Sequence, residues 1–389
     1  MMKTKTKNAH LSAAKKAKND EFYTQWADIE REMNAYLEYD PDVFRDKTIL
    51  LPCDDPEWSN FTKFFALHFR DYGLKKLIST SYAPNSNAGG AFYASTPLET
   101  SSPYYDESKS MERGRVFVLE ATDVNADGVI NIDDLRWSYL EGDGDFRSAD
   151  VMALRDEADI VITNPPFSLF REFVAWLIDG GVRFSVIGAS NALTYKEVFP
   201  LVQGNKLWIG KGFARGDAYF QIPEAARTSY AAGVYDEETK TVHFRNITWF
   251  TNIDHGRRHE PLQLMTVEDN IKFSKHKEVR GVGYRKYDNY DAIDVSFTAA
   301  IPHDYEGVMG VPITFLDKYN PDQFEIVGTT ESNAPDNAFR TRVYSSQECR
   351  DAYIARFGQP GVYDLNASGV VNGIKVYKRI LIRKKMAQL

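Results

Sequence analysis

The chain has 389 residues, 43% of them hydrophobic and 26% charged, a formal net charge of −8, and two cysteines, Cys53 and Cys349. That length accommodates two or three domains with sizeable cores. No run of about 18 apolar residues is present, which excludes a membrane-spanning helix. The lysine-rich N-terminus has no apolar core of a secretory signal. Two distant cysteines exclude a disulfide scaffold or zinc ribbon and point to a cytoplasmic protein. The excess charge is local: Glu120 to Glu157 holds 11 acidic and 3 basic residues, the whole −8. Elsewhere the charges balance, and basic residues cluster at 3–18 and 375–385 with no acid between them. Such ends suit contact with phosphate, although solvated tails carry the same composition.

In chain order, residues 1–18 read as a basic arm and ADIEREMNAYLE (27–38) as a helix. TILLPC (48–53) predicts a short buried strand and a turn. NFTKFFALHFRDYG (60–73) places Phe61, Phe64, Phe65 and Phe69 at helical spacing, and KKLISTSY (75–82) predicts a second strand. Strand, helix, strand implies a parallel pair and an α/β sheet. Residues 83–112 read as a loop rich in Ser, Asn, Gly, Pro and Tyr. RVFVLEAT (115–122) is a third strand, followed by an acidic insertion (120–141). ADIVITNPPF (158–167) is a strand running into a turn, and SLFREFVAWLIDGG (168–181) a helix ended by glycine. RFSVIGA (183–189), a helix over 194–205 and KLWIGKG (206–212) continue the alternation. TKTVHFRNITWFTNI (239–253) predicts hairpins.

The chemistry is concentrated in Asn164-Pro165-Pro166-Phe167, between an apolar strand and a helix. Two prolines restrict the backbone so that the Asn164 amide and the Pro165 carbonyl point the same way. Together they offer two acceptors to one planar amino group, while Phe167 stacks on the ring that carries it. Two acceptors on its hydrogens push an aromatic amine toward a tetrahedral, nucleophilic state that attacks an activated methyl group in line. This chemistry needs no acid, base or metal. A strand-ending turn with a packed phenylalanine is the structural alternative.

An Asn-Pro-Pro-aromatic turn resembles motif IV of the amino-methyltransferases, which act on DNA adenine, ribosomal-RNA guanine or protein glutamine. Asn19-Asp20-Glu21-Phe22-Tyr23-Thr24-Gln25 resembles motif X of the gamma-class DNA adenine enzymes, and Gly142-Asp143-Gly144-Asp145-Phe146-Arg147-Ser148 resembles motif III. The chain as a whole is similar to the EcoRI-type adenine-specific DNA methyltransferases. CDDP (53–56), SNFTKFFA (59–66), GLKKLIS (73–79), DIVITNPPFSLF (159–170), TYKEVF (194–199), KYDNYDAI (286–293), GVMGVPITFL (307–316) and RILI (379–382) carry that resemblance.

The resemblance implies a Rossmann-like S-adenosylmethionine-dependent methyltransferase sheet over 19–225, and a C-terminal α+β target-recognition region over 226–389. It implies S-adenosyl-L-methionine as cofactor, with Phe22, Tyr23 and Thr24 wrapping its methionine part and Asp54 or Asp55 facing its amino-acid end. Asp145 would bond the cofactor's adenine, with Phe146 beside that ring and Asn164 shared by both ligands. AYFQIP (218–223) resembles motif VIII, which puts Phe220 on the second face of a flipped base; a core aromatic is the alternative. Motif I has no glycine here, and no acidic residue for ribose follows the second strand. The implied substrate is double-stranded DNA, with GAATTC the first guess, and a cognate restriction endonuclease a possible partner.

Asp123, Asn125, Asp127 and Asp134 fit the donor spacing of a calcium loop, with Gly128 at its sharp turn. DLRWSYL (134–140) would be its exiting helix, and a structural calcium ion its occupant; a solvated acidic loop is the alternative. Other functions that fit are an amino-methyltransferase acting on RNA or protein, and a non-catalytic DNA- or calcium-binding module.

Overall fold

The apolar runs become strands and the periodic ones helices in the computed structural model of the chain. The structure describes residues 23–56, 59–83, 100, 102–122, 127–213, 217–222, 235–330, 345–359, 369–372 and 374–385. These form a mixed α/β architecture with several mixed sheets. The basic arm 1–18 and Phe22 lie outside the described residues. The chain divides into two compact units at Val198/Phe199, Lys206/Leu207 and His255/Gly256, so that 199–206 joins the residues after 255 in the second.

In the first unit the strands are β1 (Tyr23–Thr24), β2 (Thr48–Leu51), β3 (Lys76–Ser81), β4 (Arg115–Glu120), β5 (Arg136–Tyr139) and β6 (Ile160–Thr163). They continue as β7 (Arg183–Ala189), β8 (Trp208–Ile209), β9 (Asp217–Gln221), β10 (Tyr235–Asp236), β11 (Thr241–Arg245) and β12 (Ile247–Thr251). Helices α1 (Trp26–Tyr39), α2 (Asn60–Leu67), α3 (Glu107–Ser110), α4 (Ala149–Glu157) and α5 (Phe170–Asp179) lie between them. The larger sheet has the order β5-β4-β3-β2-β6-β7-β12-β8. Its centre, β3-β2-β6-β7, is parallel, and the flanking strands are antiparallel.

From β2 the chain passes through α2 to β3 on one side, and from β6 through α5 to β7 on the other. The winding reverses between β2 and β6. In such sheets the crevice outside the carboxyl ends at that point is where ligands bind. Alternation along the strands builds the core. Ile49, Leu51, Ile160, Ile162 and Ile187 share a cluster with Ile29, Met33 and Tyr36 of α1 and Phe61, Phe64 and Phe65 of α2. Phe250 meets Phe170 of α5, ring centres 4.8 Å apart. Burying one such ring contributes about 1.5–3 kcal/mol.

Four sequence expectations change. Residues 136–139 are not an exiting helix but β5, paired antiparallel to β4. Their alternation sets Trp137 against Phe117, 6.4 Å between ring centres, and the open edge of β4 accepts a two-residue period more readily than a helical one. The helix expected over 194–205 is only Phe199–Gln203, with a 3-10 turn at Ser190–Thr194 before it. Pro200 is tolerated only in a first turn. The expected loop 83–112 contains α3, capped by the Asp106 side chain accepting from Ser108 N–H; its residues 84–99 and 101 lie outside the description. Finally, β11 and β12 do not form a hairpin. Between them Asn246 takes φ +61°, a left-handed value that asparagine tolerates. There the chain leaves a four-stranded sheet, β1-β9-β11-β10, and enters the larger one. These pairings join β9 to β11 within the first unit.

The second unit has α6 (Phe199–Gln203), α7 (Val267–Phe273), α8 (Ser346–Phe357) and strands β13 (Arg285–Lys286), β14 (Ala292–Asp294), β15 (Val308–Val311), β16 (Phe324–Thr329), β17 (Val370–Val371), β18 (Ile374–Lys375) and β19 (Ile380–Lys384). Its main sheet runs β13-β14-β15-β19-β16. Tyr287, Tyr290, Ala292 and Val308 share its core, so KYDNYDAI and GVMGVPITFL are built into the framework. Tyr287 Oη donates to Asp294 Oδ1 at 2.6 Å, and Arg379 Nε donates to the same oxygen at 3.1 Å. No helix among the described residues is long and apolar enough to cross a membrane.

Candidate active site

Asn164-Pro165-Pro166-Phe167 begins where β6 ends, at the reversal point of the parallel strands. Pro165 and Pro166 are buried, while Asn164 and Phe167 are half-buried. A 3-10 turn over Phe167–Leu169 leads directly into α5. Phe167 meets Phe220 edge to face, with ring centres 6.4 Å apart. Phe220 itself is fully buried, also against Phe213 and Phe244 at 6.2 and 5.9 Å. It occupies the core position and backs Phe167.

The N-terminal motif reaches the same place by strand pairing. Thr24 is in register with Phe220, and Tyr23 with Gln221. The first residue of α2 fastens this strand, Asn60 Nδ2 donating to Thr24 O at 2.8 Å.

The turn after β2 stands beside the Asn164 turn. Cys53 adopts φ +70°, the left-handed conformation for which a motif I glycine would serve. Its amide and thiol donate to Thr80 Oγ1 and Tyr82 Oη, at 3.3 and 3.0 Å. Asp54 and Asp55 both point inward. The Asp54 carboxyl accepts from Ser59 Oγ at 2.6 Å, and its Oδ2 lies 2.6 Å from Thr163 Oγ1, which is also 2.6 Å from Pro52 O. Burial pushes this carboxyl up to about 7, against the hydrogen bonds from Ser59 and Thr163; the charge of Asp55 adds to the rise. Asp55 faces Arg115 of β4 at 3.5 Å, both buried, and Arg115 Nε donates to Ser81 Oγ at 3.0 Å.

The 142–148 loop closes the edge. Ala83 N–H donates to Asp143 O at 2.8 Å. Gly144 has φ +86°, and a Cβ there would lie 2.4 Å from Ser81 O. Arg147 grips both oxygens of Asp145, at 2.9 and 2.6 Å. Burial acts to raise the Asp145 carboxyl, but the Arg147 side chain and amide outweigh it and hold it low. Phe146 is fully buried against Phe173 and Trp176 of α5, at 4.9 and 5.7 Å.

Tyr23, Thr24, Asp54, Asp55, Asp145, Asn164 and Phe167 thus all stand on segments meeting at the carboxyl ends of β2, β3 and β6, with Phe146 and Phe220 as the packing beneath. Sequence reasoning missed Thr163, Ser59 and Arg115. A threonine ending an apolar strand and a serine before a helix are weak signals, and nothing marks Arg115 as buried.

No support for a calcium ion appears among the described residues of the acidic loop. Asp123 and Asn125 lie outside the described residues, and among the described residues no group of three metal-ligating side chains is present. Asp134 is buried and closes a capping box, accepting from Asn131 N–H at 3.0 Å. Asp127 accepts from Val129 N–H at 2.8 Å.

The chain is 42% identical over 321 residues to "Type II methyltransferase M.EcoRI" of Escherichia coli, covering 82% of this chain and 89% of that one. It is 33% identical over 329 residues to "Type II methyltransferase M.MpnI" of Mycoplasma pneumoniae, covering 82% and 85%. A Mycoplasma genitalium type II methyltransferase is 32% identical over 327 residues, with the same coverage. No solved structure matches significantly. The profile of the family described as "Adenine-specific methyltransferase EcoRI" matches residues 10–385, and with the Asn164 turn at the sheet's reversal point, the chain belongs to that family.

Proposed function

We propose that this adenine-specific DNA methyltransferase acts at a defined sequence in double-stranded DNA, on the N6 amine of an adenine turned out of the helix, with S-adenosyl-L-methionine as donor. One observation carries the reading: Asn164-Pro165-Pro166-Phe167 stands at the reversal point of the parallel strands of the larger sheet, with Phe167 half-buried there. Asp54, Asp55, Asp143 and Asp145 stand on the two loops held by Thr80–Ala83. The donor supplies a methyl group with a thioether as leaving group.

The protein supplies the acceptor's geometry. Asn164 Oδ1 and Pro165 O accept the two hydrogens of the amine, raising the electron density on its nitrogen, and Phe167 holds the adenine ring in plane. The nitrogen forms a bond to the methyl carbon and afterwards loses a proton to solvent. Turning the base out costs roughly a few kcal/mol, which stacking and these bonds offset. Tyr23 and Thr24 line the methionine side, the Cys53–Asp55 turn meets the donor's amino-acid end, and Asp145 lies toward its adenine. The second unit carries target recognition in this reading. Lys272, Lys275, Lys277, Arg280, Arg285 and Lys286 are exposed there for phosphate, whereas Arg258, Arg379 and Arg383 are engaged within the protein. A restriction endonuclease of the same specificity is the implied partner.

The test is transfer of labelled methyl from S-adenosyl-L-methionine to unmethylated duplex DNA with and without GAATTC. N6-methyladenine should form. Asn164→Ala should lower the rate by roughly 10²-fold or more, the scale for removing one preorganised hydrogen-bond partner. Transfer to RNA or protein and not to DNA would overturn the reading.

A further inference from the structure

We infer that Asp54 acts as a neutral carboxylic acid, a positioning residue whose proton latches the turn after β2 to the end of β6 that carries Asn164. A threonine hydroxyl has one proton to donate. Thr163 Oγ1 lies 2.6 Å from two oxygens, Pro52 O and Asp54 Oδ2. The Pro52 carbonyl can only accept, so the Thr163 proton goes to it. The contact with Asp54 then needs a second proton, and Asp54 is the group that can bring it. Sharing one proton between two acceptors weakens both bonds, whereas both contacts here fall at the short end of the O–H···O range.

The other carboxyl oxygen fits the same state. Ser59 Oγ donates to Asp54 Oδ1 at 2.6 Å while accepting from Phe61 N–H at 3.1 Å, so Oδ1 is the acceptor and Oδ2 carries the proton. Ser59 donates to the carboxyl, which favours its charge, but burial and the neighbouring Asp55 outweigh that bond, and the hydroxyls of Thr62 and Ser79 go to Asp54 O rather than to the carboxyl. The nearby charge is Asp55, which repels an ionised Asp54 and is itself held by Arg115. Cys53, the adjacent titratable group on the turn, donates its thiol to Tyr82 Oη, just past the end of β3. Burial and Asp55 together push Asp54 up to about 7.

Thr163 is the residue before Asn164. When Asp54 loses its proton, the single proton of Thr163 can serve Asp54 or Pro52, not both, and one side of the reversal-point crevice is released. The link to donor binding rests on the function proposed above; the protonation state does not.

The test therefore has two arms on the full chain. Infrared spectra of the ligand-free protein from about pH 5 to about pH 9 read carboxylic-acid C=O groups across the titration. Glu32 contributes a band of its own, so the difference between wild type and Asp54→Asn reads Asp54. A band titrating near pH 7 in wild type and missing in Asp54→Asn is expected; identical spectra would overturn the proposal. Affinity for S-adenosyl-L-methionine by equilibrium dialysis is the second arm. Wild type should weaken about tenfold per unit above about pH 7, as the competent fraction falls. Asp54→Asn can donate to Thr163 and accept from Ser59, so its affinity, whatever its absolute level, should lose the pH dependence seen in wild type. Loss of binding at every pH in folded Asp54→Asn would instead make Asp54 a charged ligand of the donor and sink the latch. Should Asp54→Asn not fold, Thr163→Ser must keep the titrating band near its wild-type position and Thr163→Val must move it. Failure of wild type to bind the donor at all would count against the proposed function and leave the infrared arm to decide.

Discussion

Two phenylalanines at the site, 6.4 Å apart, do different work because one is half-buried and the other fully buried. Phe220→Ala removes a ring enclosed by Phe167, Phe213 and Phe244 and should destabilise the protein by about 3–5 kcal/mol, as core Phe truncations do. Thermal unfolding reads that loss. Phe167→Ala should cost less stability and more function. Base–aromatic stacking is worth about 1–3 kcal/mol, so methyl transfer should fall roughly 5- to 150-fold in a protein that still melts cooperatively. If instead Phe220→Ala melts like wild type and loses only activity, the ring faces a ligand. The sequence places both residues at the site, but it does not say which ring is covered. That depends on β1 and β11, which lie on either side of β9, the first of them far from it in the chain.

At the scale of the element, the 142–148 loop is set by its contact with β3. Gly144 holds φ +86° with Ser81 O where a side chain would stand. Gly144→Ala should cost more than about 1 kcal/mol, since both the conformation and the space are incompatible. It should also weaken donor affinity if the loop borders the donor, and paired melting and binding measurements test both. An unchanged melting temperature would mean the loop relaxes freely. The strands and helices flanking the site were legible from periodicity and length: TILL, KLISTS, IVIT and RFSVIGA are strands as read, and α1 and α5 are helices. The elements misread are those for which local pattern is ambiguous. Residues 136–139 have too few residues to show a period, and they are a strand because β4 has an open edge. Residues 241–251 alternate like a hairpin, yet a left-handed Asn246 sends the two halves to different sheets.

At the scale of the molecule, buried carboxyls set the pH response. Glu32 of α1 is fully buried. It accepts from Tyr36 Oη and from the amides of Lys211 and Gly212. Burial pushes it up to about 7, against those hydrogen bonds. For a carboxyl raised on folding, the unfolded chain releases its proton first. The contribution is complete below the unfolded value of 4.5 and is lost as pH rises through about 7. Asp54 acts with the same sign from 3.8 to about 7. The urea midpoint should therefore decline between about pH 4.5 and about pH 7 through these two groups, and Glu32→Gln should flatten part of that decline. A wild-type midpoint that rises over this interval, with Glu32→Gln parallel to it, would show that neither carboxyl is raised.

The sequence by itself determined the reaction class, the family and the central parallel strands. Those features are local: a four-residue turn with its own stereochemistry, and apolar runs whose length and period specify an element. Only the tertiary structure decided which carboxylates are buried, that Phe146 packs under α5, that Thr163 joins Asp54 to Pro52, and that Asp134 caps a turn. Each of these depends on atoms far apart in the chain, over 100 residues in the case of Thr163 and Asp54. Burial, and with it the protonation state of a carboxyl, is a property of what surrounds a residue rather than of what precedes and follows it.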